Sequence, residues 1–241
     1  MKSVQEKINR LKKNIEQVIF GKSETIEFVI TCLLAKGHLL IEDVPGVGKT
    51  SLAHCLASSL HLDFKRIQFT NDLLPADITG VSIYDQQEKC FHFKQGPLFA
   101  NIVLADEINR STPRTQSALL EAMNEKQVSA DNNTHKLDEP FMVIATQNLI
   151  ESQGTYPLPE SQLDRFMFYI SMGYPSPDEE KRLLQEQSAR PGPENIETVL
   201  DKEEVLELQA RVNTVQIEPI LTDYILSIIT ATREDPNFSL G

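Results

Sequence analysis

Gly46, Gly48 and Lys49 lie in the run Pro45-Gly46-Val47-Gly48-Lys49-Thr50, with Ser51 next. These residue types at this spacing suit a bound triphosphate. Glycines permit a tight turn whose N–H groups point at phosphate oxygens, and a helix N-terminus after the turn adds favourable dipole charge. Lys49 reaches towards the β- and γ-phosphates, and the Thr50 hydroxyl can ligate Mg²⁺. A strict form of the motif puts glycine where this chain has Asp43. The bland alternative is an ordinary glycine turn with a solvated lysine.

A second group follows more than 50 residues downstream, where Ile102-Val103-Leu104-Ala105 runs into Asp106-Glu107. Asp106 can hold Mg²⁺ through water, and Glu107 can polarise an attacking water. An acidic pair at a strand end is also a common polar turn, but set against the glycine loop it supplies the other half of an ATPase site. Asn148 closes the run Ile144-Ala145-Thr146-Gln147-Asn148 and can orient the attacking water, touch the γ-phosphate, or merely cap a turn. Arg165, in Leu163-Asp164-Arg165-Phe166, can stabilise a transferring phosphoryl group on a neighbouring subunit or pair locally with Asp164.

The elements that must carry these groups alternate. Apolar spacings predict helices over residues 3–18 and 23–36, the second capped by Ser23. Residues 38–41 predict a buried strand ahead of the glycine loop, and a helix follows over 49–60. Further strands are expected over 64–69, 101–106, 141–146 and 166–171. Thr112-Pro113 opens another helix, with Thr as cap and Pro in the first turn. Strand–helix alternation of this kind gives a parallel sheet covered on both faces. Residues 78–96 and 128–139 read as inserted hairpins, either specialised or plain surface structure.

Tyr174-Pro175-Ser176-Pro177 marks a domain boundary. Helices alone follow, from 178 to about 187, from 201 to about 212, and from 219 to 232. Asp201 and Glu204 have capping-box spacing.

With 23 Lys and Arg against 35 Asp and Glu, the 241 residues carry a formal net charge of −12. Such a chain repels phosphate backbones and anionic lipid, which argues against nucleic acid or a membrane surface as partner. No apolar run reaches the roughly 18–20 residues of a membrane span, and the charged first residues do not resemble a signal peptide. Cys32, Cys55 and Cys90 lack metal-ligand spacing and read as reduced, small buried hydrophobes of a cytoplasmic protein. The five histidines, His38, His54, His61, His92 and His135, show no zinc spacing and read as structural or exposed. Neither G-x-S-x-G nor N-K-x-D occurs, which leaves no support for a serine hydrolase or for GTP.

From about Gln17 onwards the chain resembles the MoxR family of AAA+ ATPases. The resemblance rests on the stretch from Gly37 to Thr50, on Arg66-Ile67-Gln68-Phe69-Thr70, and on Asp72-Leu73-Leu74-Pro75-Ala76-Asp77-Ile78-Thr79-Gly80. It continues through Gly96-Pro97-Leu98-Phe99, Ala105-Asp106-Glu107-Ile108-Asn109-Arg110, the run Thr115 to Met123, Ala145-Thr146-Gln147-Asn148 and Tyr156 to Phe166. Within this family Asp43 looks normal.

The resemblance implies an α/β AAA+ P-loop core, with a five-stranded parallel sheet between helices over residues 1–174, and an incomplete all-helical lid over 175–241. It implies ATP and Mg²⁺ as ligands, with nucleotide contacts from Ile19, Phe20 and Gly21 near the adenine. Val44, Pro45, Gly46, Val47, Gly48, Lys49, Thr50 and Ser51 would line the phosphates, with Thr50 and Asp106 at the metal. Asn148 takes the sensor 1 role and Arg165 that of a finger acting in trans. The two hairpins fall where AAA+ motors project towards client or pore. Hexamers working with von Willebrand factor A-domain partners, in maturing other proteins or inserting their cofactors, are expected.

The family's lid continues past the Thr232-Arg233-x-x-Pro236 region into a segment bearing the sensor 2 arginine, whereas this sequence stops at Leu240-Gly241. The expectation is ATP binding with poor hydrolysis and weak assembly. The alternative to a remodelling ATPase is an AAA+ nucleic-acid motor. Residues 78–96 balance Asp85 and Glu88 against Lys89 and Lys94, and residues 128–139 are net acidic, so neither hairpin offers a basic stripe.

Overall fold

The computed structural model describes residues 4–131, 133–148, 154–185 and 191–238. The expected helix start at Ser3, the hairpin tip at Asn132, the helix end at Gln187 and the terminal Leu240-Gly241 lie outside the described residues. In chain order the elements begin with α1 (Val4–Glu16), α2 (Ser23–Leu34), β1 (Leu39–Glu42), α3 (Lys49–Ser59), β2 (Phe64–Gln68) and α4 (Pro75–Thr79). There follow β3 (Gly80–Asp85), β4 (Cys90–Gln95), β5 (Ile102–Asp106), α5 (Pro113–Glu125), β6 (Gln127–Ala130), β7 (Asn133–Lys136) and β8 (Met142–Gln147). The chain continues through α6 (Glu160–Leu163), β9 (Phe168–Ile170), α7 (Pro177–Gln185), α8 (Lys202–Val212) and α9 (Pro219–Glu234).

Five of these strands form one parallel sheet in the order β2-β5-β8-β1-β9. Its central strands are apolar until their carboxyl ends because both faces are covered, the pattern parallel sheets require. Alternate residues separate the two cores. Leu39, Ile41, Ile102, Leu104, Met142 and Ile144 pack on one side with side chains of α1, α2, α3 and α8. Leu40, Val103, Ala105, Val143 and Ala145 face the other side with Leu119, Leu120 and Met123 of α5.

The register brings the strand ends to one edge: Glu42 lies opposite Gln147, and Gln68 opposite Asp106. In open parallel sheets ligands bind beyond that carboxyl edge. Both expected hairpins form as separate antiparallel pairs, β3 with β4 and β6 with β7.

Two capping expectations are corrected. Ser23 is the first residue of α2, and Lys22 occupies the cap position without a side-chain bond. Thr112 does precede α5, but its hydroxyl meets the Thr115 hydroxyl at 3.3 Å and makes no cap bond. The Asp201–Glu204 capping box is present in both directions, at 2.8 and 3.2 Å. Cys32 and Cys55 are buried as expected, whereas Cys90 is exposed. It lies on a two-stranded hairpin outside the main sheet, on the face opposite Phe93, which packs against the core.

The chain divides into a compact unit ending at Gln209 and a second comprising residues 210–241. The first includes α7 and most of α8, whose Val205 and Leu208 enter the core. The second holds the end of α8 and the 16-residue α9, which has Pro in its first turn. No helix among the described residues is long and apolar enough to cross a membrane.

Candidate functional site

Strand β1 delivers the chain to the glycine loop at the carboxyl edge of the sheet, and α3 begins at Lys49. Gly46 and Gly48 have φ of +88° and +96°, in the left-handed region where a side chain is strained. A β-carbon built on either would meet nothing within 4 Å, so it is the backbone angle that requires glycine there. The Lys49 ammonium donates to the carbonyls of Asp43 and Val44 at 2.8 and 3.2 Å, folding the side chain back over its own loop. Burial draws the Lys49 pKa below its ordinary value, opposed by the carboxylates of Asp43, Asp106 and Glu107.

Asp43, the residue that breaks the strict motif, ties the loop to the end of β9. Its carboxylate accepts from the N–H groups of Met172 and Gly173 at 2.7 and 2.6 Å, from the Ser171 hydroxyl at 3.0 Å and from the Val44 N–H at 2.8 Å. Burial pushes its pKa up, but these hydrogen bonds together outweigh that and hold it below the ordinary value.

The acidic pair sits across from the loop. Asp106, at the end of β5, is buried and accepts from the Thr146 hydroxyl at 2.6 Å and from Arg66 Nη2 at 2.6 Å. Glu107 leaves the strand at φ +56°, a conformation that costs a non-glycine residue on the order of 1–3 kcal/mol. Its N–H donates to the same Thr146 hydroxyl at 2.9 Å, so one side chain of β8 fixes both acids. The Glu107 carboxylate accepts from Gln68 at 2.8 Å and from Arg110 at 3.1 Å.

A cavity of about 360 Å³ joins these parts, lined by Pro45, Gly46, Gly48, Lys49, Thr50, Ser51, Arg66, Gln68, Asp106, Glu107 and Asn148. The donor set suits a nucleoside triphosphate with a divalent cation: loop amides and an ammonium for the phosphates, a hydroxyl and a carboxylate for the metal. The open space over both glycines leaves room for phosphate to approach the backbone.

Not every expected residue lies there. Val44, Val47, Ile19, Phe20 and Gly21 are not among the lining residues; Ile19 is buried in the core and Val47 packs against it. The Phe20 ring lies 4.7 Å from the Arg182 guanidinium. Arg165 borders a different cavity of about 350 Å³ with Ser117, Leu120, Glu121, Asn124, Glu125 and Gln162, and donates to the Leu120 carbonyl at 3.2 Å. In turn, Arg66, Gln68, Thr146 and the anchoring by Asp43 were missed by sequence reasoning. Arg66, Gln68 and Thr146 stand in runs that carry the family resemblance and Asp43 in the loop, but their contacts become legible only once β2, β5 and β8 are known to be neighbours.

A parallel sheet with a glycine loop after one inner strand and paired acids after another defines a P-loop nucleoside triphosphatase. The chain belongs to the ATPase family associated with various cellular activities (AAA), which it matches over residues 38–168, and its relatives place it among the MoxR proteins. It is 51% identical to the uncharacterised protein YeaC of Bacillus subtilis, over 95% of this chain and 72% of that protein. It is 43% identical to the chaperone MoxR1 of Mycobacterium tuberculosis, over 94% of this chain and 60% of that protein. A crystal structure of a provisionally assigned ATPase from Cytophaga hutchinsonii superposes with a TM-score of 0.86 at 42% identity, covering 95% of this chain and 69% of that one. The chain thus spans only part of the length of these relatives.

Proposed function

We propose that this chain binds Mg–ATP in the cavity at the carboxyl edge of the sheet and hydrolyses it to remodel, mature or load cofactors into partner proteins. The observation that carries the reading is the convergence of Lys49, Thr50, Asp106, Glu107 and Asn148 on one cavity. The AAA family match and the likeness to a protein named a chaperone support it.

The roles follow from chemistry and position. Lys49 leaves its loop carbonyls to bind the terminal phosphates, with the loop amides and Ser51 beside it. Thr50, and Asp106 through water, would hold Mg²⁺, which neutralises charge on the phosphates when bound. Glu107 accepts the proton of the attacking water, for which its carboxylate must let go of Gln68 or Arg110. Asn148 orients that water. Ile19, Phe20 and Gly21 border the adenine, and Val44 and Val47 shape the loop.

Arg165, directed into a separate cavity, serves the nucleotide of a neighbouring subunit. A homo-oligomer follows from that division of the site, with six subunits as the family resemblance implies. The core over residues 1–174, a helical lid over 175–241, a von Willebrand factor A-domain partner and a cytoplasmic setting complete the proposal. A nucleic-acid motor would need a basic stripe to meet phosphate backbones. The β3–β4 hairpin instead balances Asp85 and Glu88 against Lys89 and Lys94.

Replacing Glu107 by Gln tests the chemistry. Turnover should fall about 10²–10⁴-fold while ATP affinity, read by a fluorescent analogue, is retained. Undiminished turnover would remove Glu107 from the mechanism.

A further inference from the structure

The tip of the β3–β4 hairpin gathers three metal-ligating side chains outside the nucleotide site. Cys90 and His92 stand two residues apart on β4 and so point to the same face. Glu88 reaches them from the turn. Asp85 shapes that turn by accepting from the N–H groups of Gln87 and Glu88 at 2.7 and 3.1 Å, and Lys89 takes φ of +53°. His92 Nε2 lies 2.8 Å from Glu88 Oε2 and 3.2 Å from Cys90 Sγ, and the thiol lies 3.8 Å from the same carboxylate oxygen.

We propose that Glu88, Cys90 and His92 form a zinc site, with one sulfur, one nitrogen and one oxygen ligand and a fourth position left for water or an incoming ligand. A tetrahedral zinc ion with ordinary bond lengths spaces its ligand atoms about 3.4–3.6 Å apart. The three observed separations bracket that spacing, so side-chain rotations alone bring all three onto one ion. Thiolate with imidazole favours zinc over the hard cations Mg²⁺ and Ca²⁺, which take oxygen ligands.

The thiol must ionise to bind. One proton leaves Cys90 for each ion taken up, and neutral His92 contributes a ring-nitrogen lone pair without proton loss. The carboxylate of Glu88 offsets the positive charge. All three groups are exposed, so an ion can enter from solvent without rearrangement of the core. Once bound, it cross-links the turn to β4 and stiffens the hairpin tip.

Cobalt(II) serves as the spectroscopic probe, added to the full nucleotide-free chain with its thiols reduced. One equivalent should produce a thiolate-to-cobalt charge-transfer band, and added Zn²⁺ should bleach it. Cobalt at Thr50 and Asp106 has oxygen ligands only and gives no such band, and Cys32 and Cys55 are buried. Cys90→Ser should abolish the band. Loss of a supporting partner outside the coordination sphere already costs about 10–100-fold in metal affinity, so His92→Ala and Glu88→Gln should each weaken zinc binding at least tenfold. Thermal unfolding of each metal-free variant should match the parent, because strand pairing at the tip uses backbone groups. No band with the parent chain, or a band that survives Cys90→Ser, overturns the proposal.

Discussion

The Thr146 hydroxyl donates to Asp106 at 2.6 Å and accepts the N–H of Glu107 at 2.9 Å, coupling the two acids of the site through one buried side chain of β8. Replacing it by Val keeps the shape and removes the bond to a buried carboxylate, a loss of about 1.5–3 kcal/mol. Turnover of Thr146→Val should drop roughly tenfold or more, and Thr146→Ser should recover most of it. Equal rates for the Val and Ser variants would show that the hydroxyl does not position the acids.

Asp43 accepts four hydrogen bonds, three of which hold the glycine loop to the residues that follow β9. Asp43→Ala strands the Met172 and Gly173 N–H groups and should cost about 2–3 kcal/mol in urea unfolding. Asp43→Asn keeps one acceptor oxygen and should fall between. If the Ala variant unfolds at the parent's urea midpoint, the anchor is not structural.

Arg165 should act across a subunit boundary. Arg165→Ala is expected to bind ATP normally and lose about 10³-fold in turnover. Mixing it with Glu107→Gln should restore part of the rate, because the Gln subunit lends its arginine to a neighbour with an intact acid. A mixture as inactive as its components would argue against action in trans.

His38, just before β1, is buried, accepting the Val143 N–H at 3.0 Å and directing its other nitrogen at the Met123 carbonyl, 3.3 Å away. Burial lowers its pKa to about 4, against a backbone bond to Met123 that raises it, with Lys126 lowering it further. The unfolded chain therefore takes up this proton first as pH falls. Stability contributed by neutral His38 is complete above pH 6.5 and is lost as pH falls towards 4, by up to about 1.4 kcal/mol per pH unit. Urea midpoints of parent and His38→Asn between pH 7 and pH 4 check this: the variant should show the shallower decline.

Much of this architecture was legible in the residues. The glycine loop is a local device, since Gly46, Gly48, Lys49 and Thr50 carry their requirement within six positions of chain. Apolar runs such as Leu39-Leu40-Ile41 and Ile102-Val103-Leu104-Ala105 announce strands buried on both faces. Capping was less legible, because Ser23 and Thr112 have competing partners that local sequence does not rank. Cys90 misled because cysteine is usually buried, while β4 lies outside the layered core.

By itself the sequence determined the alternation of strands and helices, the phosphate loop and the two acids, because each is written in neighbouring residues. Tertiary structure alone decided which strands lie side by side. That order sets Thr146 of β8 beside Asp106 of β5 and Gln68 of β2 beside Glu107, and it turns Asp43 towards Gly173. It also places Arg165 outside the cavity that gathers Lys49, Asp106 and Glu107. The physical reason is that strand order is fixed by burial of both sheet faces at once, a property of the whole core that no single segment encodes.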